Sequence, residues 1–126
     1  MCYSAFVEKI SKTILIIDDN PHILKPLSIL LSGLGYLIKK TALGKDPMIM
    51  KKPFADLVLL DMRLKDTTGK DVCIKIKRHK LMQNIPVIMF SADTQLEAIA
   101  KEAGADDFIE KPFNIDSLLV KIKAYI

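Results

Sequence analysis

The sequence predicts an α/β fold: a doubly wound, five-stranded parallel sheet between two layers of helices, a three-layer (βα)5 sandwich. The apolar runs are short and continuous rather than alternating, which is typical of strands buried on both faces of a sheet. Amphipathic segments with helical spacing separate these runs, and the alternation repeats five times. Repeated strand–helix units joined by right-handed crossovers build a sheet of this kind.

The first unit has the clearest signals. Residues 13–17 form an apolar run, and Asn20 and Pro21 follow it as a capping residue and a first-turn proline would at the start of a helix. Gly33 and Gly35 are expected to end this helix. Its apolar residues keep helical spacing and are Ile23, Leu24, Leu27, Leu30, Leu31 and Leu34.

The other four units differ in strength, and the second is the weakest. Residues 36–41 form a weak strand, and 44–52 the poorest helix, because Pro47 must lie in its first turn. Strands are predicted at 57–60, 87–90 and 108–109, each followed by a helix with one apolar face. These faces are Val72, Cys73 and Ile76 after Gly69, then Leu96, Ile99, Ala100 and Ala103 before Gly104, then Ile115, Leu118, Leu119, Ile122 and Ile126.

Length, composition and charge exclude several classes of protein. The chain suits one domain, and its two cysteines are too few for a secreted disulfide framework, which fits a reducing, cytoplasmic setting. No apolar run approaches the ~20 residues of a membrane span. Residues 1–11 lack a secretion-signal pattern and are expected to be an N-terminal extension to a domain at 12–126. The net charge is +4, but the lysines are scattered without interleaved aromatic residues, so direct nucleic acid binding is not expected.

A charged or polar residue follows every strong strand. Asp18 and Asp19 follow the first run, Asp61 the third, Ser91 the fourth and Lys111 the fifth. In the common strand order 2-1-3-4-5 the first and third strands are neighbours, so three carboxylates would meet at the switch point of the sheet. Like charges repel at such distances, and Mg²⁺, a hard cation with oxygen ligands, is the natural compensation.

Together these groups indicate phosphoryl chemistry. Lys111 would add a positive charge and Ser91 a hydroxyl, which complete a cradle for a phosphoryl group placed on, or held beside, a carboxylate. Each residue taken singly has a simpler interpretation: Asp19 or Asn20 as a helix cap, Asp61 as a turn residue, Ser91 as a cap and Lys111 as a solvated lysine. Their common position at one sheet edge favours the site.

Four segments give the chain its resemblance to a known family. They are ILIIDDN, DLVLLDMRLKDTTG, IPVIMFSA and GADDFIEKPF, in this order and at the family's spacing. From Lys12 onward the chain resembles the receiver domain of two-component response regulators, chemotaxis regulators among them. The resemblance implies a flavodoxin-like fold and a phosphoacceptor switch in a phosphorelay. Such a domain promotes only its own phosphorylation and dephosphorylation and is not an enzyme in the usual sense.

The resemblance also implies a role for each residue of the site. Asp61 would accept the phosphoryl group from a phosphohistidine, Ser91 would turn towards it, and Phe108 would follow as the switch aromatic. Lys111 would pair with a phosphoryl oxygen, and its bond to Pro112 is expected to be cis. The implied cofactor is Mg²⁺, with Mn²⁺ as an alternative. The implied ligands are Asp18, Asp19, Asp61 and the backbone carbonyl of Arg63.

The implied partners lie on both sides of this switch. A sensor histidine kinase or phosphotransfer protein would supply the phosphoryl group. An output domain or target protein would read the surface of the fourth helix, fifth strand and fifth helix. No membrane partner is expected, and a phosphorylation-dependent homodimer is left open.

Some positions depart from the usual pattern or add to it. Lys65 stands where receivers usually have proline, and Ser91 where threonine is more common, but neither change removes a group that the chemistry needs. Arg63 and Asp93 would flank the path of the hydrolytic water. We hypothesise that they pair across this mouth and slow dephosphorylation; the alternative is two independent solvated side chains.

Three other functions share part of the pattern. A receiver-fold interaction platform without phosphorylation would not need the complete set of acids, hydroxyl and lysine. A small phosphatase with an aspartyl-phosphate intermediate typically carries its second acid two residues after the nucleophile, whereas Asp18 and Asp19 are adjacent. A binder of nucleotides or flavin mononucleotide would need a glycine- or hydroxyl-rich loop after the first strand, where DDNPH places negative charge.

Overall fold

A computed structural model of the chain, which describes residues 11–126, confirms the predicted fold class. Five parallel strands lie in the order β2-β1-β3-β4-β5. The strands are β1 (Thr13–Ile17), β2 (Leu37–Thr41), β3 (Leu57–Asp61), β4 (Val87–Ser91) and β5 (Asp107–Glu110). The α-helices are α1 (Pro21–Gly33), α2 (Gly69–Arg78), α3 (Leu96–Ala103) and α4 (Ile115–Tyr125). Residues 1–10 of the expected N-terminal extension lie outside the described residues.

The core lies on both faces of the sheet. Strands β3 and β4 are buried along their whole length, and alternate residues of β1 contribute to opposite layers. Ile14 and Ile16 pack in the layer covered by α1 and α4, whereas Leu15 and Ile17 pack in the layer covered by α2 and α3. Continuous apolar runs therefore follow from the need to fill two layers at once.

The second predicted helix is the main correction. Instead of an α-helix over 44–52, the chain forms a four-residue 3-10 helix, Pro47–Met50. The Asp46 side chain caps it by accepting the backbone N–H of Met48, and Lys51 is already extended. Pro53 follows closely and disfavours helical backbone in the residue before it, so no room remains for a longer helix. The fourth and fifth predicted helices are consequently α3 and α4.

The predicted helix ends agree with the structure. Asn20 caps α1 by accepting the backbone N–H of His22 at 2.9 Å, and Pro21 occupies the first turn. Helix α1 ends at Gly33, and Gly35 after it has φ +101°, a conformation that suits glycine. Gly104, at φ +83°, caps α3 in the same left-handed region.

Three strands are slightly longer than predicted, and two of the extensions matter for the site. Asp61 is the last residue of β3 and Ser91 the last residue of β4, while β5 spans Asp107–Glu110. The polar groups are thus held by the sheet ladder itself. Among residues 11–126, no helix combines the length and the apolar character that a membrane crossing requires.

Candidate functional site

Three carboxylates meet at the carboxyl ends of β1 and β3. One side-chain oxygen from each of Asp18, Asp19 and Asp61 lies within 4.8 Å of the others. Strand β1 lies between β2 and β3, so this edge is the point where the strand order reverses and where sites form in open α/β sheets. The structure therefore brings together the three acids that the sequence suggested.

Asp18 is completely buried, and each of its two carboxylate oxygens has a hydrogen-bond partner. The backbone N–H of Asn20 donates to its Oδ1 at 2.8 Å, and Lys111 Nζ lies 3.1 Å from its Oδ2. Its own backbone N–H donates to the carbonyl of Thr41 at 3.1 Å, which ties the acid to the end of β2. A buried charge needs partners of this kind because it has lost its hydration.

Asp61 is also buried, with 7% of its surface exposed. The backbone N–H of Met62 donates to its Oδ1 at 2.8 Å, and Lys111 Nζ lies 3.5 Å from the same atom. Burial, and then the negative charge of Asp18, raise the pKa of Asp61 to about 6, although Lys111 and the Met62 N–H act in the opposite direction. The carboxylate is therefore ionised at neutral pH, but its ionised form destabilises the folded protein.

Lys111 contacts both acids and is fixed from three sides. Its backbone N–H donates to the carbonyl of Ser91 at 2.8 Å. The hydrogen bonding between β4 and β5 therefore continues one residue beyond the end of β5. Its ammonium lies 4.5 Å from the centroid of the Phe90 ring, within the range of a cation–π interaction. The Lys111–Pro112 peptide bond is cis.

An open cleft of about 440 Å³ lies over these groups. Ser91 is buried at its edge, and its Oγ accepts the backbone N–H of Asp93 at 3.1 Å. Phe108 is half-buried on β5 opposite Met89 and packs in the layer under α2 and α3. The residues lining the cleft are Asn20, Ile23, Asp61, Arg63, Ser91, Ala92, Asp93 and Lys111.

Arg63 and Asp93 lie on opposite sides of the cleft mouth. Arg63 Nη2 is 3.4 Å from Asp93 Oδ2, and the two side chains are 83% and 22% exposed. The geometry contains the hypothesised pair, but so exposed a contact contributes at most about 1 kcal/mol. The pair therefore adds little to the stability of the fold.

Gly69 closes the loop that follows Asp61. Its backbone N–H donates to the carbonyl of Met62 at 2.7 Å, and Arg63 pairs with Thr68 in an antiparallel bridge. A Cβ at position 69 would lie 2.1 Å from the backbone oxygen of Asp61. Only glycine lets α2 begin this close to the acceptor strand.

The donor atoms suit a hard divalent cation. Asp18, Asp19 and Asp61 offer only carboxylate oxygens, and oxygen is the ligand that Mg²⁺ takes. Two of the three acids are buried, so a cation would offset repulsion that Lys111 alone offsets only in part. The residues present fit Mg²⁺.

Three contributors were not predicted. The Asn20 N–H and the Thr41 carbonyl hold Asp18 through backbone atoms. The ring of Phe90, a buried residue of β4, also contacts the Lys111 ammonium. No residue pattern could have revealed the first two, because any residue supplies a backbone N–H or carbonyl.

The raised pKa of Asp61 makes the stability of the metal-free protein depend on pH. Near pH 4 the unfolded chain begins to release this proton while the folded protein retains it, so the folded state loses stability as the pH rises towards 6. Above that pH the full cost, up to about 3 kcal/mol, is present. We therefore expect Asp61→Asn to raise the free energy of unfolding in EDTA at about pH 8 and to change it little at about pH 4.

Urea unfolding at both pH values measures this difference. Asp116→Asn, which removes an exposed carboxylate at the start of α4, is the control and is expected to change stability by less than about 0.5 kcal/mol. An equal gain for Asp61→Asn at both pH values would contradict the electrostatic explanation, since only ionised Asp61 carries the cost.

Comparisons with known proteins identify similar sequences and structures. The family model of the response regulator receiver domain matches residues 14–123 of this chain. The phosphate regulon transcriptional regulatory protein PhoB of Pseudomonas aeruginosa is 35% identical over 124 residues, which cover 93% of this chain and 52% of that protein. The DNA-binding dual master transcriptional regulator RpaA of Synechocystis is 34% identical and is covered to 48%. The chain thus spans about half the length of the curated relatives it matches.

Solved structures show the same architecture. A CheY-like response regulator receiver domain protein of Methanospirillum hungatei has 34% identity and a TM-score of 0.81, covering 91% of this chain and 93% of that one. The BeF3-activated DrrB receiver domain has 33% identity and a TM-score of 0.79, covering 92% and 97%. The similarity therefore extends over nearly the whole described chain.

Proposed function

Because the chain belongs to the response regulator receiver domain family, we propose that it is a phosphoacceptor switch in which Asp61 takes a phosphoryl group from a phosphohistidine. One observation carries the proposal: the buried Asp61 carboxylate lines an open cleft, beside Asp18, Asp19 and the ammonium of Lys111. A carboxylate nucleophile, a cation site and a fixed positive charge are the parts that phosphoryl transfer to an aspartate requires. The proposed domain is 12–126, with residues 1–11 as an extension.

In the proposed step a carboxylate oxygen of Asp61 attacks the phosphorus atom. The bond from phosphorus to the imidazole nitrogen breaks, and its electron pair stays with the imidazole. A pKa of about 6 leaves Asp61 ionised at neutral pH and hence able to attack. Mg²⁺, or Mn²⁺ in its place, would be held by Asp18, Asp19, Asp61 and the Arg63 carbonyl and would supply positive charge.

The other residues of the cleft would hold the product. Lys111 Nζ, which contacts Asp18 and Asp61 in the structure, would pair with a phosphoryl oxygen. The Ser91 hydroxyl would donate to another phosphoryl oxygen, and Phe108 would turn inward behind it. Because Phe108 lies on β5, this motion would alter the face formed by α3, β5 and α4 and hence the surface offered to an output partner.

The proposed partners follow from this cycle. A sensor histidine kinase or a phosphotransfer protein supplies the phosphoryl group, and the domain acts on no further substrate. Curated relatives about twice as long include transcriptional regulators, one of them named as DNA-binding. An output domain in the same polypeptide, or a separate target protein, is therefore the proposed partner that binds the altered face of α3, β5 and α4. Phosphorylation-dependent homodimerisation is a further proposed consequence.

Intact mass spectrometry after incubation with Mg²⁺ and acetyl phosphate tests the proposal. We expect one added phosphoryl group that depends on Mg²⁺ and is lost in Asp61→Asn, because that side chain no longer carries the nucleophilic oxygen. Asp116→Asn is the matched control and should be labelled like the wild type. If neither acetyl phosphate nor a phosphorylated phosphotransfer protein labels the chain, the receiver is an interaction platform instead.

We further propose that the Arg63–Asp93 pair lengthens the life of the phosphoryl group by covering the path of the hydrolytic water. Arg63→Ala is then expected to speed the loss of the added mass, by up to about fivefold for a contact of this exposure. The decay is followed after removal of acetyl phosphate. Lys65→Ala, which removes an exposed cation from the same loop, is the control, and equal decay in wild type and Arg63→Ala would exclude this role.

A further inference from the structure

The loop between β2 and the 3-10 helix, residues 42–46, packs directly against the loop that follows Asp61, residues 62–68. A Cβ added to Gly44 would lie 2.5 Å from Thr67 Cγ2 and 2.8 Å from Leu64 Cδ1, both on the second loop. It would also lie 2.6 Å from Val72 Cγ2 in α2. The backbone at Gly44 therefore occupies the space where a side chain would otherwise separate the two loops.

Asp66 holds this contact with both of its carboxylate oxygens. The backbone N–H of Gly44 donates to Oδ1 and that of Lys45 donates to Oδ2, each at 2.8 Å. Burial acts to raise the pKa of Asp66, but the two N–H donors, together with its own backbone N–H and the charge of Lys45, hold the pKa below its usual value. Charge-assisted hydrogen bonds in a paired arrangement restrict both position and orientation.

The far end of the same loop is fixed to the acidic site. Asp46 accepts the hydroxyl of Thr41 at 2.7 Å, and the carbonyl of Thr41 accepts the backbone N–H of Asp18 at 3.1 Å. Separate hydrogen bonds, joined by the backbone of residues 44–46, thus link Asp66 through Thr41 to Asp18. They join the two segments that would have to present cation ligands at a fixed separation.

We propose that Asp66 is a positioning residue for the cation site: its carboxylate holds the loop 62–68, and with it the backbone carbonyl of Arg63, in place relative to Asp18. The inference rests on the proposed function, because it concerns the cation that assists phosphorylation. No proline restricts residues 62–68, so the internal Arg63–Thr68 bridge and the Asp66 contacts to the neighbouring loop together order this segment. Groups that orient metal ligands in this way set metal affinity without touching the metal.

The test replaces Asp66 by asparagine and measures Mg²⁺ binding itself. The amide keeps the shape of the carboxylate but turns an NH₂ group towards one of the two backbone donors, so the paired contact is lost. We expect the Mg²⁺ dissociation constant from isothermal titration calorimetry to rise by about tenfold. Phosphorylation by acetyl phosphate should slow at limiting Mg²⁺ and recover at saturating Mg²⁺, because Asp61 and Lys111 are unchanged.

Asp71→Asn is the charge-matched control. It removes one carboxylate from the first turn of α2, close to the same loop but outside this set of hydrogen bonds, and should bind Mg²⁺ like the wild type. NMR of the Gly44 and Lys45 amides reports directly whether the contact is lost in Asp66→Asn. Urea unfolding of each variant separates a change in the site from a change in overall stability.

The outcomes separate this inference from the proposed function. Loss of the Gly44 and Lys45 contacts with an unchanged Mg²⁺ dissociation constant would overturn it, since the contact would then be structural only. An equal weakening in Asp71→Asn would also overturn it by assigning the effect to net charge. If the wild type itself bound no Mg²⁺, the proposed function would fail as well, and that result is seen before any variant is compared.

Discussion

Gly69→Ala is expected to lower the free energy of unfolding by about 3 kcal/mol and to slow phosphorylation at Asp61. The added Cβ would lie 2.1 Å from the backbone oxygen of Asp61 and 2.8 Å from the Cα of Met62. Both neighbours are backbone atoms of the acceptor segment, so no side chain can rotate away to make room. The clash must displace either the start of α2 or Asp61 itself, which also breaks the 2.7 Å hydrogen bond from Gly69 to Met62.

Gly33→Ala is the matched control, because Gly33 is also helical but has no atom within 4 Å of the added Cβ. Alanine is favoured over glycine inside a helix by up to about 1 kcal/mol, so this variant should be as stable as the wild type or more stable. Urea unfolding and intact mass after acetyl phosphate treatment measure both effects. A Gly69→Ala protein that unfolds and is labelled like the wild type would show that the acceptor loop can move freely.

The sheet and the site were predictable for the same reason. Buried parallel strands require unbroken apolar runs, and whatever polar residue ends such a run is delivered to the carboxyl edge of the sheet. Asp18, Asp61 and Ser91 each directly follow a run of four buried apolar residues, and the structure places all three at that edge. The position of these three residues in space thus follows from the strand order and from the apolar residues that precede them.

The second helix and the loop contacts were not predictable in this way. Pro47 and Pro53 limit the segment between them to a single short turn, but whether that turn is helical depends on the burial of Ile49 against the core. The contact between Asp66 and the backbone of Gly44 and Lys45 joins residues more than 20 apart. Backbone donors leave no signal in the sequence, so such contacts appear only once the loops are placed together.

Lys111→Met is expected to lower the free energy of unfolding of the metal-free protein by about 3 kcal/mol. In the structure Lys111 is the cation that contacts both Asp18 and Asp61, at 3.1 and 3.5 Å. Asp18 is completely buried, so after the substitution its charge would have neither water nor a cation beside it. Methionine keeps most of the apolar stem of lysine, and the loss therefore reports the charge rather than the packing.

A double-mutant cycle with Asp18→Asn tests this explanation in EDTA at neutral pH. If the cost comes from stranding the Asp18 carboxylate, Lys111→Met in the Asp18→Asn background should cost much less than in the wild type, and the coupling should exceed about 1 kcal/mol. Lys101→Met, which removes an exposed partner of Glu97 on α3, should change stability by less than about 0.5 kcal/mol. Strict additivity of the Lys111 and Asp18 changes would mean that the lysine is held by Phe90 and the backbone of Ser91 rather than by the acids.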